Sequence, residues 1–255
     1  MDETCVVERN LKLVIEFDGS RFHGSQRQAP EKEPTVQGVM EESLSRLLGH
    51  EAHIAFSGRT DAGVHASGQV VSFKTTSPIP TERIPMAFGN MLPGEIRILS
   101  AQEVPAEFHA RFSARGRTYR YLILLGSSVF WQDRAWQVEG KLDLDSMQKA
   151  ASLLIGEHDF SSWRAAGCTA HSPVREILDL TVEPLKMGSF KLVAITTTGT
   201  GFLYKMVRNL VGTLVKVGQG FLTPQDVGEL LARRDRTLAP PTAPAWGLYL
   251  MQVYY

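Results

Sequence analysis

The chain has 255 residues, of which 43% are hydrophobic and 21% charged, a composition typical of a soluble globular protein with one or two domains. No apolar run approaches the roughly 18 residues that a membrane span needs. The acidic start MDETCVVERN does not resemble a secretory signal. Two cysteines, Cys5 and Cys168, do not make a disulfide scaffold, so we expect a reduced, cytoplasmic setting and no membrane partner.

The formal net charge is zero, but the charges are unevenly distributed. Residues 1–108 carry 10 Lys and Arg against 15 Asp and Glu, a net of −5, and residues 109–255 carry 17 against 12, a net of +5. Two blocks, 108–122 and 184–225, contain basic residues and no acid. An anionic partner needs a local positive face rather than a positive total, although solvated strand and helix faces would also explain each block.

The elements predicted for the first half follow the order β-α-β-β-α-β. Apolar residues recur at three- and four-residue steps from Thr35 to Leu48, which predicts a helix, with Pro34 suited to its start and Gly49 to its end. The predicted elements are, in chain order, a strand at 11–17, the helix at 35–48, strands at 53–57 and 69–74, a weak helix at 81–88 and a strand at 96–104.

The second half repeats this pattern. A helix at 144–155 is predicted between an N-capping Asp143 and a closing Gly156. The other predicted elements are a strand at 117–125, a hairpin of strands at 176–185 and 190–198, helices at 203–217 and 224–232, and a strand at 248–254.

We therefore predict an α+β fold of two ferredoxin-like (RRM-like) β-α-β-β-α-β halves, residues 1–107 and 108–255. Their sheets would join side by side around a central active-site cleft. RNA-binding domains use this layout with an open sheet face for the ligand, although a fold alone does not assign a function.

The motif SGRTDAGVHASGQVVSF at 57–73 is the strongest functional signal. It places Asp61 between Gly58 and Gly63, just before the predicted strand at 69–74. Glycines allow a sharp turn or a close approach, which suits a loop that presents one carboxylate to a substrate. Asp-Ala-Gly alone would fit an ordinary turn, but GRTDAGVHA is longer than a turn requires. We expect His65 in this motif to be structural.

Several stretches resemble the tRNA pseudouridine synthase A family, in the family's order. They are GRTDAGVH with GQVVSF, FDGSRFHGSQRQ at 17–28, TVQG at 35–38, FHARFSARGRTYRY at 108–121, GFLYKMVRNLVG at 201–212 and APAWGLYL at 243–250. The family usually reads Gly-Trp-Gln where this chain reads GSQ at 24–26. Ser25 thus replaces a large aromatic side chain, a change that we expect to affect local packing or an RNA contact but not the catalytic loop.

The resemblance implies an isomerase that converts uridine to pseudouridine in the anticodon stem-loop of tRNA, at positions 38, 39 and 40. The reaction breaks the N1–C1′ bond, turns the uracil over and joins C5 to C1′, so we expect no metal and no other cofactor. Asp61 corresponds to the essential aspartate. Attack on C1′, as by glycosidase carboxylates, attack on uracil C6 and proton removal to form a glycal all stay open.

The resemblance also assigns roles to substrate-binding residues. Arg59 corresponds to a residue that assists base flipping, since its planar guanidinium can fill the vacated stack, although a surface ion pair would equally suit it. Tyr119 corresponds to a tyrosine that stacks on the uracil, whereas core packing is expected for Tyr121. Leu248 corresponds to a leucine that closes the uracil pocket, and strand core would account for it too.

Arg208 corresponds to a second catalytic residue, whose charge would pair with Asp61 and keep it ionised; a solvated helix face is the alternative. The tRNA-contacting stretches of the family correspond here to Phe108, His109, Arg111, Thr169 and His171. Family members work as homodimers with a basic RNA-binding cleft, so tRNA and a second copy are the expected partners.

Other signals are weaker. Gly199-Thr200-Gly201 lacks the third glycine of a dinucleotide-binding motif, and no second close pair completes a zinc site with Cys168 and His171. Three alternatives stay open: a synthase of the same family with a different uridine target, a non-catalytic RNA-binding module on the same fold, and a nucleotide-dependent enzyme using Gly199–Gly201.

Overall fold

The computed structural model describes residues 8–29 and 33–255, so Cys5 and the start MDETCVV lie outside the described residues. The chain forms two compact units. The first contains the described residues up to Ala114 together with Met251–Tyr255, and the second contains Arg115–Leu250. Each combines helices with largely antiparallel strands, which confirms the α+β prediction. Among the described residues, no helix is long and apolar enough to cross a membrane.

The first unit is built around one central strand. Its elements are β1 (Arg9–Phe17), α1 (Val36–Leu48), β2 (Ala55–Phe56), β3 (His65–Thr75), α2 (Ile84–Gly89) and β4 (Ile96–Val104). Strand β1 pairs antiparallel with β4 on one side and with β3 on the other, and β2 pairs with β3. Alternate residues of β1 (Leu11, Leu13 and Ile15) are fully buried, as a strand with one face in the core requires.

Helix α1 has the limits that its sequence pattern predicts. The Thr35 hydroxyl accepts a hydrogen bond from the Gly38 N–H (3.2 Å), which caps the first turn. Gly49 ends the helix in the left-handed conformation at φ 74°, which glycine adopts without strain. The buried side chains of Met40 and Leu44 lie one turn apart, so this helix turns an apolar stripe toward the core.

The second unit has more elements than the sequence pattern predicts. They are β5 (Gly116–Leu125), β6 (Trp136–Val138), α3 (Leu144–Ser152), β7 (Gly156–Asp159), β8 (Val174–Met187), β9 (Phe190–Gly199), α4 (Met206–Gly218) and α5 (Pro224–Arg233). The last strand, β10 (Leu248–Tyr254), begins in this unit, and its residues from Met251 onward belong to the first. Strand β9 pairs antiparallel with both β5 and β8, and β8 pairs with β7. Strand β6 runs parallel to the end of β5.

Helix α4 forms the core of the second unit. Its residues are buried over most of the helix surface, and α3 packs against it. The fully buried Trp163 donates its ring N–H to Thr213 (3.0 Å), and Asn209 donates to the Trp163 carbonyl (2.7 Å). A Cβ at Gly212 would lie 2.2 Å from the Pro241 carbonyl oxygen, so only glycine allows this approach.

Some predicted element limits are wrong. Helix α3 ends at Ser152, and Gly156 opens β7 with φ 106° rather than closing the helix. Helix α4 begins at Met206, because Lys205 adopts a left-handed conformation with φ 57°. The short strands β6 and β7 were not predicted, since three or four residues carry too little periodicity to indicate a strand.

Candidate active site

The loop that carries Asp61 connects β2 to β3 and is anchored where it begins. The Ser57 N–H donates to the Val70 carbonyl (2.8 Å), and the Ser57 hydroxyl donates to the Gln69 side-chain oxygen (2.5 Å). The Gln69 amide in turn donates to the Gly58 carbonyl (3.0 Å). Gln69 is fully buried, so one side chain of β3 holds the start of the loop through two bonds.

The loop turns at Asp61 itself. The Val64 N–H donates to the Asp61 carbonyl (3.1 Å), and Gly63 has φ 77°, a conformation that favours glycine. The Asp61 side chain is half-buried and Arg59 is exposed. The turn therefore keeps the carboxylate partly accessible while its backbone is bound.

A buried histidine supports the end of this loop. The Gly19 N–H donates to Nδ1 of His65 (3.1 Å), and a carboxylate oxygen of Asp18 lies 3.2 Å from the same nitrogen. A Cβ at Gly19 would lie 2.0 Å from the Val64 carbonyl oxygen, so the segment after β1 touches the loop backbone. His65 is only 3% exposed, in agreement with the structural role predicted for it.

Gly24 and Ser25, in the segment between β1 and α1, contact the loop at Thr60. We call these two residues the Gly24–Ser25 bracket. The Ser25 N–H donates to the Thr60 carbonyl (3.1 Å), and the Thr60 N–H donates to the Ser25 hydroxyl (2.8 Å). Ser25 is fully buried, so its side chain contributes to local packing and not to the exposed surface. The expectation that the change at Ser25 leaves the catalytic loop unaffected is therefore wrong, and the contact was missed because its partner is 35 residues away.

Tyr119, Tyr121 and Arg208 lie in the second unit. The ring of Tyr119 on β5 makes an edge-to-face contact with Phe202, with centroids 5.2 Å apart and planes at 88°. Tyr121 is fully buried and donates its hydroxyl to the Pro244 carbonyl (2.8 Å), which confirms core packing. Burial raises the pKa of the Tyr121 phenol, and the Arg208 charge offsets part of that rise.

Arg208 is half-buried on α4 and bound to the segment before β10. Its Nε donates to the Ala243 carbonyl (2.8 Å), and the Arg208 carbonyl accepts from the Ala243 N–H (3.1 Å). These bonds fix the direction in which the guanidinium extends. Leu248, at the start of β10, is buried at 6% exposure, as strand core requires.

The segment 108–113 in the first unit presents two rings in contact. The rings of His109 and Phe112 are tilted by 37° with centroids 4.5 Å apart, and the Arg111 guanidinium lies 5.6 Å from the Phe112 ring centre. Phe112 is 76% exposed. We call these three residues the His109–Phe112 platform. Phe112 was missed, although an aromatic residue next to an arginine in an acid-free block is a signal for a stacking surface.

Phe108 makes both ring and backbone contacts within the first unit. Its ring lies 4.9 Å from that of Tyr255, and the Lys12 ammonium lies 5.9 Å and 5.7 Å from the two ring centres. The Asn10 amide donates to the Phe108 carbonyl (2.8 Å). These contacts fasten the segment that carries the platform.

Thr169 and His171 are exposed on a loop of the second unit. The Arg164 guanidinium donates to the carbonyls of Cys168 (2.9 Å) and Ala170 (2.7 Å) and holds this loop in place. Burial raises the pKa of the Cys168 thiol, but hydrogen bonds from Ala170 and Tyr204 and the Arg164 charge outweigh it and lower the pKa below its usual value.

The predicted site residues are thus divided between the two units. The first contains Arg59, Asp61, Phe108, His109 and Arg111, and the second contains Tyr119, Thr169, His171, Arg208 and Leu248.

Comparison with known proteins identifies the class of protein to which this fold and this loop belong. The model of a family described as tRNA pseudouridine synthase matches residues 13–113 and 150–255, which is more than half of the chain. The chain therefore belongs to the tRNA pseudouridine synthase family, a class of isomerases, and the predicted family and enzyme class are confirmed.

Individual relatives match over nearly the whole length. The chain is 45% identical over 249 residues to the tRNA pseudouridine synthase A of Acetivibrio thermocellus, covering 97% of this chain and 100% of that one. It is 43% identical over 251 residues to the tRNA pseudouridine synthase A of Caldicellulosiruptor bescii, again covering 97% of this chain and 100% of the relative.

Proposed function

We propose that this chain converts uridines to pseudouridine in the anticodon stem-loop of tRNA, at positions 38, 39 and 40, with Asp61 as the essential carboxylate. The observation that carries the proposal is the loop GRTDAGVH, in which a half-buried Asp61 extends from a backbone bound at Ser57, Thr60 and Val64. A carboxylate on a bound backbone can meet a reacting atom without first being ordered, which lowers the barrier of a unimolecular step.

The chemistry needs few groups. The N1–C1′ bond breaks, the uracil turns over within the site, C5 bonds to C1′, C5 loses its proton and N1 gains one, so the product is an isomer of uridine. Asp61 assists by attack on C1′, by attack on uracil C6 or by removal of a sugar proton toward a glycal. Each route uses an ionised carboxylate in contact with the substrate nucleotide.

The remaining site residues bind and position the uridine. Exposed Arg59 is suited to filling the stack that a flipped uridine leaves, because its guanidinium is planar and charged. The edge contact with Phe202 holds the Tyr119 ring in one plane, which supports a stacking role for Tyr119. Leu248 would close the uracil pocket, and the pairing of Asp61 with Arg208 stays a prediction.

The tRNA contacts would come from two exposed segments. The His109–Phe112 platform combines an exposed ring with an arginine, a combination that stacks on unpaired bases and binds phosphate. The loop with Thr169 and His171 is exposed and held by Arg164. We also propose a cytoplasmic homodimer, which sedimentation velocity of the purified protein with and without tRNA would test.

The test of function is incubation of the purified protein with an unmodified tRNA transcript that carries uridine at 38, 39 and 40. We expect pseudouridine at these positions by nucleoside analysis and position mapping, without added metal or cofactor. A transcript with cytidine at all three positions is the matched control. Product elsewhere would indicate a different uridine target within the family, and binding without product would indicate a non-catalytic RNA-binding module.

A further inference from the structure

We propose that Ser25 is a positioning residue for catalysis. Its hydroxyl holds the Arg59–Thr60 peptide group through the Thr60 N–H, and its own N–H holds the Thr60–Asp61 peptide group through the Thr60 carbonyl. The inference rests on the proposed role of Asp61 and adds a residue that does not itself contact the substrate.

The first argument is the pairing of both backbone groups of Thr60 with one residue. The Thr60 N–H donates to the Ser25 hydroxyl (2.8 Å), and the Thr60 carbonyl accepts from the Ser25 N–H (3.1 Å). Ser25 is fully buried and Thr60 is 8% exposed, so water does not replace either bond. Because a peptide unit is planar, holding Thr60 leaves few dihedral angles by which the Asp61 side chain can change direction.

The second argument is that the bracket is itself fixed to a rigid element. The Ser25 carbonyl accepts from the Gln37 N–H (2.9 Å), and the Gly24 carbonyl accepts from the Val36 N–H (3.2 Å). These are donors of the first turn of α1, which have no partner within the helix. Gly24 has φ 101°, and a Cβ there would lie 2.9 Å from the Thr60 carbonyl oxygen, so the bracket lies directly against the loop.

The third argument is that the Thr60 side chain makes no hydrogen bond that could take over this task. Within residues 8–29 and 33–255, the Thr60 hydroxyl is buried and has no hydrogen-bond partner. The hold on this part of the loop therefore comes from its backbone bonds with Ser25.

The test is a comparison of four variants in steady-state turnover of a tRNA transcript. Ser25→Ala removes the acceptor, Ser25→Cys keeps the size with a weak acceptor, and Ser25→Thr keeps the hydroxyl. Ser43→Ala is the matched control, since Ser43 is also a buried serine of the first unit but donates to the Met91 carbonyl (3.2 Å), away from the loop. The readouts are kcat, KM, Tm and hydrogen exchange of the Thr60 amide.

We expect kcat to fall about 10- to 100-fold in Ser25→Ala, as for a reacting group displaced by about 1 Å. KM should stay within about threefold, a change of less than ~1 kcal/mol, because Ser25 is enclosed. Hydrogen exchange of the Thr60 amide should become faster in Ser25→Ala. The kcat of Ser25→Cys should lie between the values for Ser25→Ala and the parent. Ser25→Thr should recover part of the parent kcat, and Ser43→Ala should keep it.

An unchanged kcat in a folded Ser25→Ala would overturn the inference, and so would a kcat that falls only in proportion to the folded fraction. If Ser25→Ala does not fold, Ser25→Cys is judged by the same criteria. Loss of folding in both assigns Ser25 to stability alone and rejects the proposal. An active Asp61→Ala would refute the proposed function, whereas an inactive Asp61→Ala beside a fully active Ser25→Ala would refute only the role of Ser25.

Discussion

At the scale of single residues, the hydrogen bonds that hold the loop backbone are distinct from the carboxylate that Asp61 presents. The loop backbone is bound through hydrogen bonds at Ser57, Thr60 and Val64, and these bonds do not use the Asp61 carboxylate. A substitution of the carboxylate should therefore remove chemistry and leave the loop in place.

We predict that Asp61→Ala makes no detectable pseudouridine while its tRNA Kd stays within about tenfold of the parent, or ~1.4 kcal/mol. Single-turnover assays and filter binding on the same transcript would measure both. Asp145→Ala, which removes an acidic residue in the first turn of α3, is the control for a general charge effect. Residual product from Asp61→Ala would contradict the role of this carboxylate.

Phe112 gives a second residue-scale prediction. A ring stacked on a base contributes about 1–3 kcal/mol to binding of single-stranded nucleic acid, so Phe112→Ala should weaken tRNA affinity by about 5- to 150-fold. Phe130→Ala is the matched control, because Phe130 is equally exposed at 76% but lies in the second unit, on a different surface segment. Equal effects of the two variants on Kd would argue against the platform.

At the scale of elements, Cys168 lies in the loop with Thr169 and His171 and can report chemically whether RNA covers that loop. The pKa of the Cys168 thiol is lowered, so its thiolate fraction at neutral pH is raised and alkylation should be fast. In a Cys5→Ser background, we predict that bound tRNA slows alkylation of Cys168 by iodoacetamide. Mass spectrometry of the labelled peptide with and without tRNA measures this.

A tRNA concentration series is the control for a general effect of RNA on the reagent, since protection should be half-maximal at a free tRNA concentration equal to the Kd and saturate above it. Alkylation that is equally fast in the complex would place this loop away from the RNA.

Helix α3 gives a pH prediction. The Asp143 carboxylate accepts from the Ser146 N–H (3.0 Å) and hydroxyl (2.7 Å) and caps the helix, and these bonds lower its pKa below 3.8. A lowered carboxylate pKa contributes stability above the unfolded value, and this contribution is lost as pH falls through the folded value. Asp143→Ala should thus lower Tm at pH 7.

The difference in Tm between Asp143→Ala and the parent should narrow as the pH falls from the ordinary carboxyl value of 3.8 through the lower pKa of the folded state, where the parent carboxylate becomes neutral. Melting curves between pH 7 and the acid limit of folding would measure it. A difference that stays constant with pH would mean that the cap acts through packing rather than through charge.

At the scale of the whole molecule, zero net charge does not prevent binding of a polyanion. The acid-free blocks at 108–122 and 184–225 supply local positive charge. We predict that tRNA affinity falls at least about tenfold between about 50 and 200 mM salt, as counterions released from a few phosphates require.

Arg111→Gln should reduce the slope of log K against log salt by about one phosphate contact, and Arg46→Gln on α1, which pairs locally with Glu42, should leave it unchanged. An affinity independent of salt would count against the electrostatic part of the proposal.

The two units also show which helices and strands can be predicted from local sequence patterns. Helix α1 was predicted with its caps because Thr35, Gly49 and the apolar steps between them lie within one short segment. In the first unit β1 lies between β4 and β3, and β2 pairs with β3, which supports the ferredoxin-like half that the sequence predicts. Strands β6 and β7 were missed, since their pairing partners rather than their own residues define them.

The amino-acid order was sufficient for the family, for the loop that carries Asp61 and for most helices and long strands, because each depends on residues close together along the chain. The folded chain was needed to find the partner of Ser25, 35 residues away, and the bond from Tyr255 to the Ala110 carbonyl, 145 residues away. Such contacts follow from strand register and close packing, which no local propensity encodes.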